Sequence, residues 1–199
     1  MRMKLLDRLL DWLPWTLATI CVAGSVHIIS ILLMPEVAPR NAFARLAAAA
    51  RAAPTTEAGV ALLPRETPGA EVMPFEDPAF AEGVCLFDLS KGLMRVVADA
   101  DPEDYLALSF YARTGRVFHA ATDRSAIKGK IEVMIGDAAQ IENLESQDEE
   151  APPSQVRVTS PTKRGFVLIR SLAKRMSDRD RAEQRLRMVK CETVAEPES

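Results

Sequence analysis

The chain has 199 residues, a length that suits one domain with a linker and a short appended segment. Apolar residues make up 48%, enough for a core, and a net charge of −3 denies it the strongly basic surface of a nucleic-acid binder. The sequence has no CxxC, CxxCH, P-loop or GxGxxG, so thioredoxin-type redox chemistry, covalent c-type haem and the common nucleotide-binding loops have no support.

Residues 13–34 read LPWTLATICVAGSVHIISILLM, without a single Lys, Arg, Asp or Glu. As a helix this stretch is about 30 Å long, the thickness of a bilayer's hydrocarbon core. It is longer than the ~7–15 residues of a signal peptide's apolar run, so an uncleaved anchor is expected rather than cleavage at Ala42-Phe43-Ala44. Trp12 and Trp15 sit where interfacial aromatics belong, and Pro14 falls in the expected first turn. Arg2, Lys4 and Arg8 precede the span, whereas Arg40, Arg45 and Arg51 follow it. The compact basic tail favours a cytoplasmic N-terminus with the bulk exported. Thr16, Thr19, Ala23, His27 and Ser30 recur at helical spacing on one stripe. Small and hydroxylated residues suit helix–helix contact in lipid, so Thr19, Ala23, His27 and Ser30 are the expected contact positions. His27 also suits a proton relay or haem ligation, or else a plain imidazole bonded to Ser30 or a backbone carbonyl.

Pro35 and Pro39 are expected to end this helix. Residues 41–53 (NAFARLAAAARAA) predict a short helix with Asn41 as N-cap. Its modest apolar side, Phe43, Leu46 and Ala50, suggests a place near the membrane surface. Prolines at 54, 64, 68, 74 and 78 then predict an extended tether, with residues 60–63 as a short edge strand.

From Gly83 the pattern turns to short strands. Residues 84–89 and 93–98 read as a hairpin across Ser90-Lys91-Gly92; 105–112 and 116–120 read as another across Thr114-Gly115. Residues 131–135 form a further strand, the acidic stretch 137–150 a loop or weak helix, and 156–159 with 166–171 a last hairpin. Tyr105, Phe110, Tyr111 and Phe118 are assigned to the core by alternation, with a pocket mouth as the alternative for Tyr105 or Tyr111. Ser177, followed by Asp178 and Asp180, predicts the cap of a closing helix whose apolar face is Ala182, Leu186 and Val189. Its basic residues Arg179, Arg181, Arg185, Arg187 and Lys190 are expected to be solvated, with binding to anionic lipid as the alternative. The expected fold is therefore an N-terminal single transmembrane helix plus a mainly-β domain, an antiparallel sandwich or jelly-roll-like sheet, with a C-terminal helix. The expected divisions are a tail at 1–12, the span at 13–34, a helix and Pro/Ala-rich tether at 35–82, and the β-rich domain at 83–199.

Cys85 and Cys191 either close a large loop, given export, or stay as buried thiols. A disulfide would pin the closing helix, at whose end Cys191 is expected, to the first strand.

Several stretches, in this order, resemble a known group: VHIISILLMPEVAPRNAFARL, MPFEDPAF, GVCLFDLSKGLMRV, YLALSFYARTGRVFHAATDRSA and KGKIEVMI. The chain resembles small bacterial integral membrane proteins grouped with the domain of unknown function 1254 family. That resemblance covers most of the chain and carries no established activity. It implies a companion small membrane protein as partner, and it favours pairing of Cys85 with Cys191.

Chemistry is sparse. His119, Asp123 and Ser125 lie close in sequence, and His119, Asp123 and Arg124 are the weak binding candidates. Asp99, Asp101, Glu103 and Asp104 lack EF-hand spacing and read as a solvated turn. No catalytic residue, metal site or cofactor is expected. Two function classes follow. The first, preferred over an enzyme, is an interaction or structural domain of the envelope, anchored in the inner membrane with its C-terminal domain in the periplasm. It works with the bilayer and a membrane partner, a companion protein or a second copy, and not with nucleic acid. The second is an envelope enzyme or small-ligand-binding domain, which predicts a deep pocket with several polar side chains.

Overall fold

The computed structural model describes residues 2–37, 42–65, 67, 69, 72–73, 76–101, 103–146 and 155–195. The chain forms two compact units, Met1–Pro39 and Arg40–Ser199.

The first unit is one helix, α1 (Arg2–Val37). Its stretch Asp11–Met34, 24 residues, is long and apolar enough to cross a membrane, and its side chains are exposed. The helix extends past both expected boundaries. Good helix formers such as Leu5, Leu6, Leu9 and Leu10 carry it upstream, so Pro14 lies in its interior and not in its first turn. Pro35 likewise lies inside the last turn, where its missing N–H removes one bond without ending the helix. Pro39 and the expected cap Asn41 lie outside the described residues, as do Pro68 and Pro74 of the tether and residues 147–150 of the acidic stretch.

The second unit opens with α2 (Ala42–Ala52). Its apolar side has a protein partner: Leu46 and Ala50 pack with Ala61, Val84, Phe166 and Leu168 of the sheet. The expected tether is also packed. Leu62 N–H donates to the Pro54 carbonyl (3.1 Å) and Leu63 N–H to that of Glu82 (3.0 Å). Proline forbids long regular elements, but it does not prevent a chain from lying against a sheet. The short edge strand is present as β1 (Ala61–Leu62).

Two sheets enclose the core. The first contains β1, β2 (Phe80–Asp88), β4 (Leu106–Ala112), β5 (Val117–Thr122) and β8 (Arg164–Leu172), in the order β1-β2-β8-β4-β5. All of its pairings are antiparallel. The second contains β3 (Leu93–Asp99), β6 (Lys130–Gly136), β7 (Val156–Thr159) and β9 (Lys190–Val194), in the order β7-β6-β3-β9. It is mixed, because β6 and β7 run parallel. Cys85, Phe87, Leu108, Phe110 and Ile169 from the first sheet share one core with Val96, Ile131 and Val133 from the second. The alternating strands thus bury their inner faces against each other as a sandwich.

Only the β4–β5 hairpin keeps its predicted partner. The other two predicted hairpins are not hairpins. Strands β2 and β3 lie in different sheets, joined by a short 3-10 turn Leu89–Lys91, and so do β7 and β8. The reason is energetic: β2, β3 and β8 each gain two strand neighbours by crossing between sheets, which a turn signal alone cannot reveal. The acidic stretch contains α3 (Ala138–Ser146). Its start is fixed reciprocally, Asp137 N–H donating to Gln140 Oε1 (2.9 Å) and Gln140 N–H to Asp137 Oδ1 (3.0 Å).

The closing helix α4 (Arg179–Met188) begins after Asp178, which makes no side-chain cap bond. Ser177 sits in the preceding 3-10 turn, Met176–Asp178, and not at the cap. Ala182, Leu186 and Val189 are buried as expected. Strand β9 then follows, and it carries Cys191 opposite Val96 of β3. The Cys85–Cys191 disulfide, with Cα atoms 6.3 Å apart, is present. It joins the two sheets, not a helix to a strand.

Candidate functional site

The sequence candidates lie at the outer edge of the first sheet. His119 is on β5, half-buried, its ring centre 5.4 Å from that of Phe110. Burial pushes its pKa below the ordinary imidazole value, so the ring is neutral at pH 7. Asp123 and Arg124 occupy a 3-10 turn (Asp123–Ser125) directly after the strand. A cavity of about 100 Å³ brings His119 together with Ser125, Lys130 and Glu132, and leaves out Asp123 and Arg124. Ser125 is committed to local structure: its hydroxyl donates to the Thr122 carbonyl (2.7 Å) and accepts from Thr122 N–H (3.1 Å). No hydrogen bond among the described residues links His119 to Asp123 or Ser125, so no nucleophile–base pair is assembled.

The acidic turn is structural as well. Asp101 Oδ1 accepts from Glu103 N–H (2.9 Å), and Asp104 pairs with Arg185. Among the described residues, no three His, Cys, Asp or Glu side chains converge as metal ligands would. Phe110 is fully buried and Phe118 packs against the core, but Tyr105 is exposed, edge-on to Phe80. Within α1, the Thr16 and Thr19 hydroxyls donate to the Leu13 and Trp15 carbonyls of their own helix (both 2.9 Å).

A larger cavity, of about 500 Å³, lies where α2, the segment after β1, β2 and α4 meet. Its walls are apolar: Ala49, Ala52 and Ala53 from α2, then Leu62 and Leu63, with Ala81 and Leu186 beneath. The alanine-rich helix creates this space, since methyl groups leave unfilled what larger side chains would occupy. Charged groups are set into the same walls. Arg179 is buried, its Nη1 donating to the Pro78 (2.9 Å) and Phe80 (2.5 Å) carbonyls. Its Nε stands 3.4 Å from Glu183 Oε1. The same oxygen accepts from Arg65 Nε at 2.7 Å, while Arg65 Nη2 reaches Asp180 at 2.6 Å. The Arg65 bond, ahead of the weaker Arg179 contact, holds the Glu183 carboxyl below the usual range. Glu82, also buried, accepts from Arg170 Nε at 2.9 Å.

Arg65, Glu82, Arg179 and Glu183 were not among the residues singled out from sequence. One local signal exists, the i,i+4 pair of Arg179 with Glu183 on α4. The expectation that α4's basic residues are solvated fails at Arg179 and at Arg185, which turn inward onto backbone carbonyls and Ser171. Arginine beside unpaired carbonyls is a strong donor, and burial of its stem repays part of the desolvation.

No protein-family model matches the chain, and no curated protein does. Solved structures that show some likeness include two proteins. One is the VPA0106 protein from Vibrio parahaemolyticus, at 16% identity and a TM-score of 0.49 over 62% of this chain and 30% of that one. The other is an uncharacterized protein from Burkholderia cenocepacia, at 13% identity and a TM-score of 0.43 over 80% of this chain and 42% of that one. The chain thus spans less than half the length of either.

Proposed function

We propose that this chain is a single-pass protein of the bacterial inner membrane, with its N-terminus in the cytoplasm and its β unit in the periplasm, where it serves as an interaction domain for a membrane-anchored partner. The disulfide carries the reading. A bridge between two sheets persists in an oxidising compartment and is rare in the cytosol, and α1 supplies the span that would hold the exported unit to the membrane. The resemblance to the domain of unknown function 1254 group belongs to the same proposal and implies a companion membrane protein. Contact runs along Thr19, Ala23, His27 and Ser30 of α1, and along the outer strands β5 and β7, whose outward backbone groups have no strand neighbour among the described residues.

A reporter active only after export, fused behind Ser199, tests the orientation; activity confined to the cytoplasm reverses it. Crosslinking in native membrane followed by pull-down tests the partner. His27→Leu should reduce its recovery, and undiminished recovery removes the stripe from the account.

The about 500 Å³ cavity favours a second reading, a small-ligand-binding domain. Its volume falls within the range of ligand pockets, and its mixture of apolar wall and a few fixed charges is their usual composition.

A further inference from the structure

We infer that the cavity between α2 and α4 binds a small monoanion with an apolar body, a carboxylate on an aromatic or short aliphatic frame. The inference deepens the ligand-binding reading and rests on it. Five charged side chains stand in the cavity wall: Arg65, Glu82, Arg179, Glu183 and Arg187. Four are already engaged. Arg65 is held by Asp180 and Glu183, Glu82 by Arg170, Arg179 by two carbonyls, and Glu183 by Arg65. Arg187, in the last turn of α4, makes no hydrogen bond or ion pair among the described residues. The wall therefore presents three positive and two negative groups, and its surplus resides on a guanidinium with its donors free.

That arrangement orients a ligand. A guanidinium fork matches a carboxylate in two parallel bonds, and Arg187, exposed at the edge of the apolar wall, has its fork open to one. The alanines of α2 and the Leu62–Leu63 pair offer the apolar body its space. Arg65 and Arg179 are taken by Asp180, Glu183 and two backbone carbonyls, so the body enters along the apolar wall and the head stays at Arg187. A dianion or a cation fits this charge pattern less well.

The test uses the full chain in nanodiscs, titrated calorimetrically with 2-naphthoate and with empty nanodiscs as blank. Neutral 2-naphthalenemethanol and cationic 2-naphthylmethylammonium are run in parallel. Binding of the carboxylate, weakened about tenfold by Arg187→Gln, is expected, since loss of a charge-assisted bond is of that order. Ala52→Phe, which fills the cavity and leaves Arg187 in place, should abolish it. Equal binding of the neutral or cationic probe overturns the anion assignment and leaves the ligand-binding reading standing. Binding of none of the three overturns both. Carboxylate binding that survives both substitutions places the site elsewhere and overturns the inference.

Discussion

Reducing the Cys85–Cys191 bond should lower the stability of the β unit as a whole. The bridge closes a segment of 106 residues in sequence. In the chain-entropy account, a loop of this length removes about 4.8 kcal/mol of conformational freedom from the unfolded chain at 25 °C. Measured losses on removing a native bridge fall at about 2–5 kcal/mol, so about 3–5 kcal/mol is expected here. For a unit of this size each kcal/mol moves the midpoint about 2–4 °C, which gives a fall of about 6–20 °C. Cys85 is fully buried and Cys191 nearly so, so reduction requires prior opening, and the paired change Cys85→Ala with Cys191→Ala gives the cleaner measurement. Thermal melts of the full chain in detergent, oxidised, reduced and doubly substituted, check the magnitude. Peptide mapping without reductant should recover Cys85 and Cys191 joined, with Cys21 alkylated freely. Two alkylated thiols at 85 and 191, or a midpoint that moves less than about 2 °C on double substitution, would refute both the staple and the compartment inferred from it.

Three further outcomes test the packing. Gly165→Ala should destabilise by about 2–3 kcal/mol or more in denaturant titration, because its Cβ would stand 2.3 Å from the Phe87 ring and from the Tyr111 carbonyl; little change would mean that β2, β4 and β8 do not approach as described. Arg185→Gln should lower stability by about 2–4 kcal/mol, since it strips bonds at once from Asp104, the buried Ser171 hydroxyl (2.8 Å) and the Leu172 carbonyl (2.7 Å). His119 sets a pH dependence. Its folded pKa is depressed by burial, so the unfolded chain takes up the proton first, and stability is lost as pH falls below about 6.5 toward the folded value, by at most about 1.4 kcal/mol per pH unit. His119→Gln should flatten that limb of the stability profile, and an unchanged limb would assign it to other groups.

What the sequence made legible follows from how locally each feature is encoded. The long apolar helix shows itself because residues 13–34 are an uninterrupted apolar run, of the length that crossing a bilayer would need. The β4–β5 hairpin shows itself because Thr114-Gly115 joins two runs that pair with each other, Gly115 adopting the positive φ that such a turn needs. Ser90-Lys91-Gly92 gives a similar turn signal, yet the chain there passes from one sheet to the other. The distinction depends on β8, some seventy residues further on, which takes the place beside β2 along the whole register from Phe80–Leu172 to Asp88–Arg164. A local turn cannot carry that information, and neither can the parallel pairing of β6 with β7.

The larger cavity was illegible for a related reason, and the same reason explains its form. Its charged residues come from three separate places in the chain: Arg65 beyond β1, Glu82 on β2, and Arg179, Glu183 and Arg187 on α4. None belongs to a motif, and each has an ordinary surface-like setting when read alone. The fold makes them neighbours by laying α4 and the segment after β1 across the same end of the first sheet. There Arg179 satisfies the carbonyls of Pro78 and Phe80 just where β2 begins. The residues between α2 and β2, which look like a spacer in composition, therefore furnish part of a wall. Small side chains at Ala49, Ala52 and Ala53 keep that wall from closing on α4. The cleft is open to solvent, with Ala52 and Arg187 exposed on its walls, so it is accessible to a small molecule. The persistence of a gap rimmed by engaged charges and one free guanidinium is what directs attention to binding, and away from the His119 edge where the sequence alone had pointed.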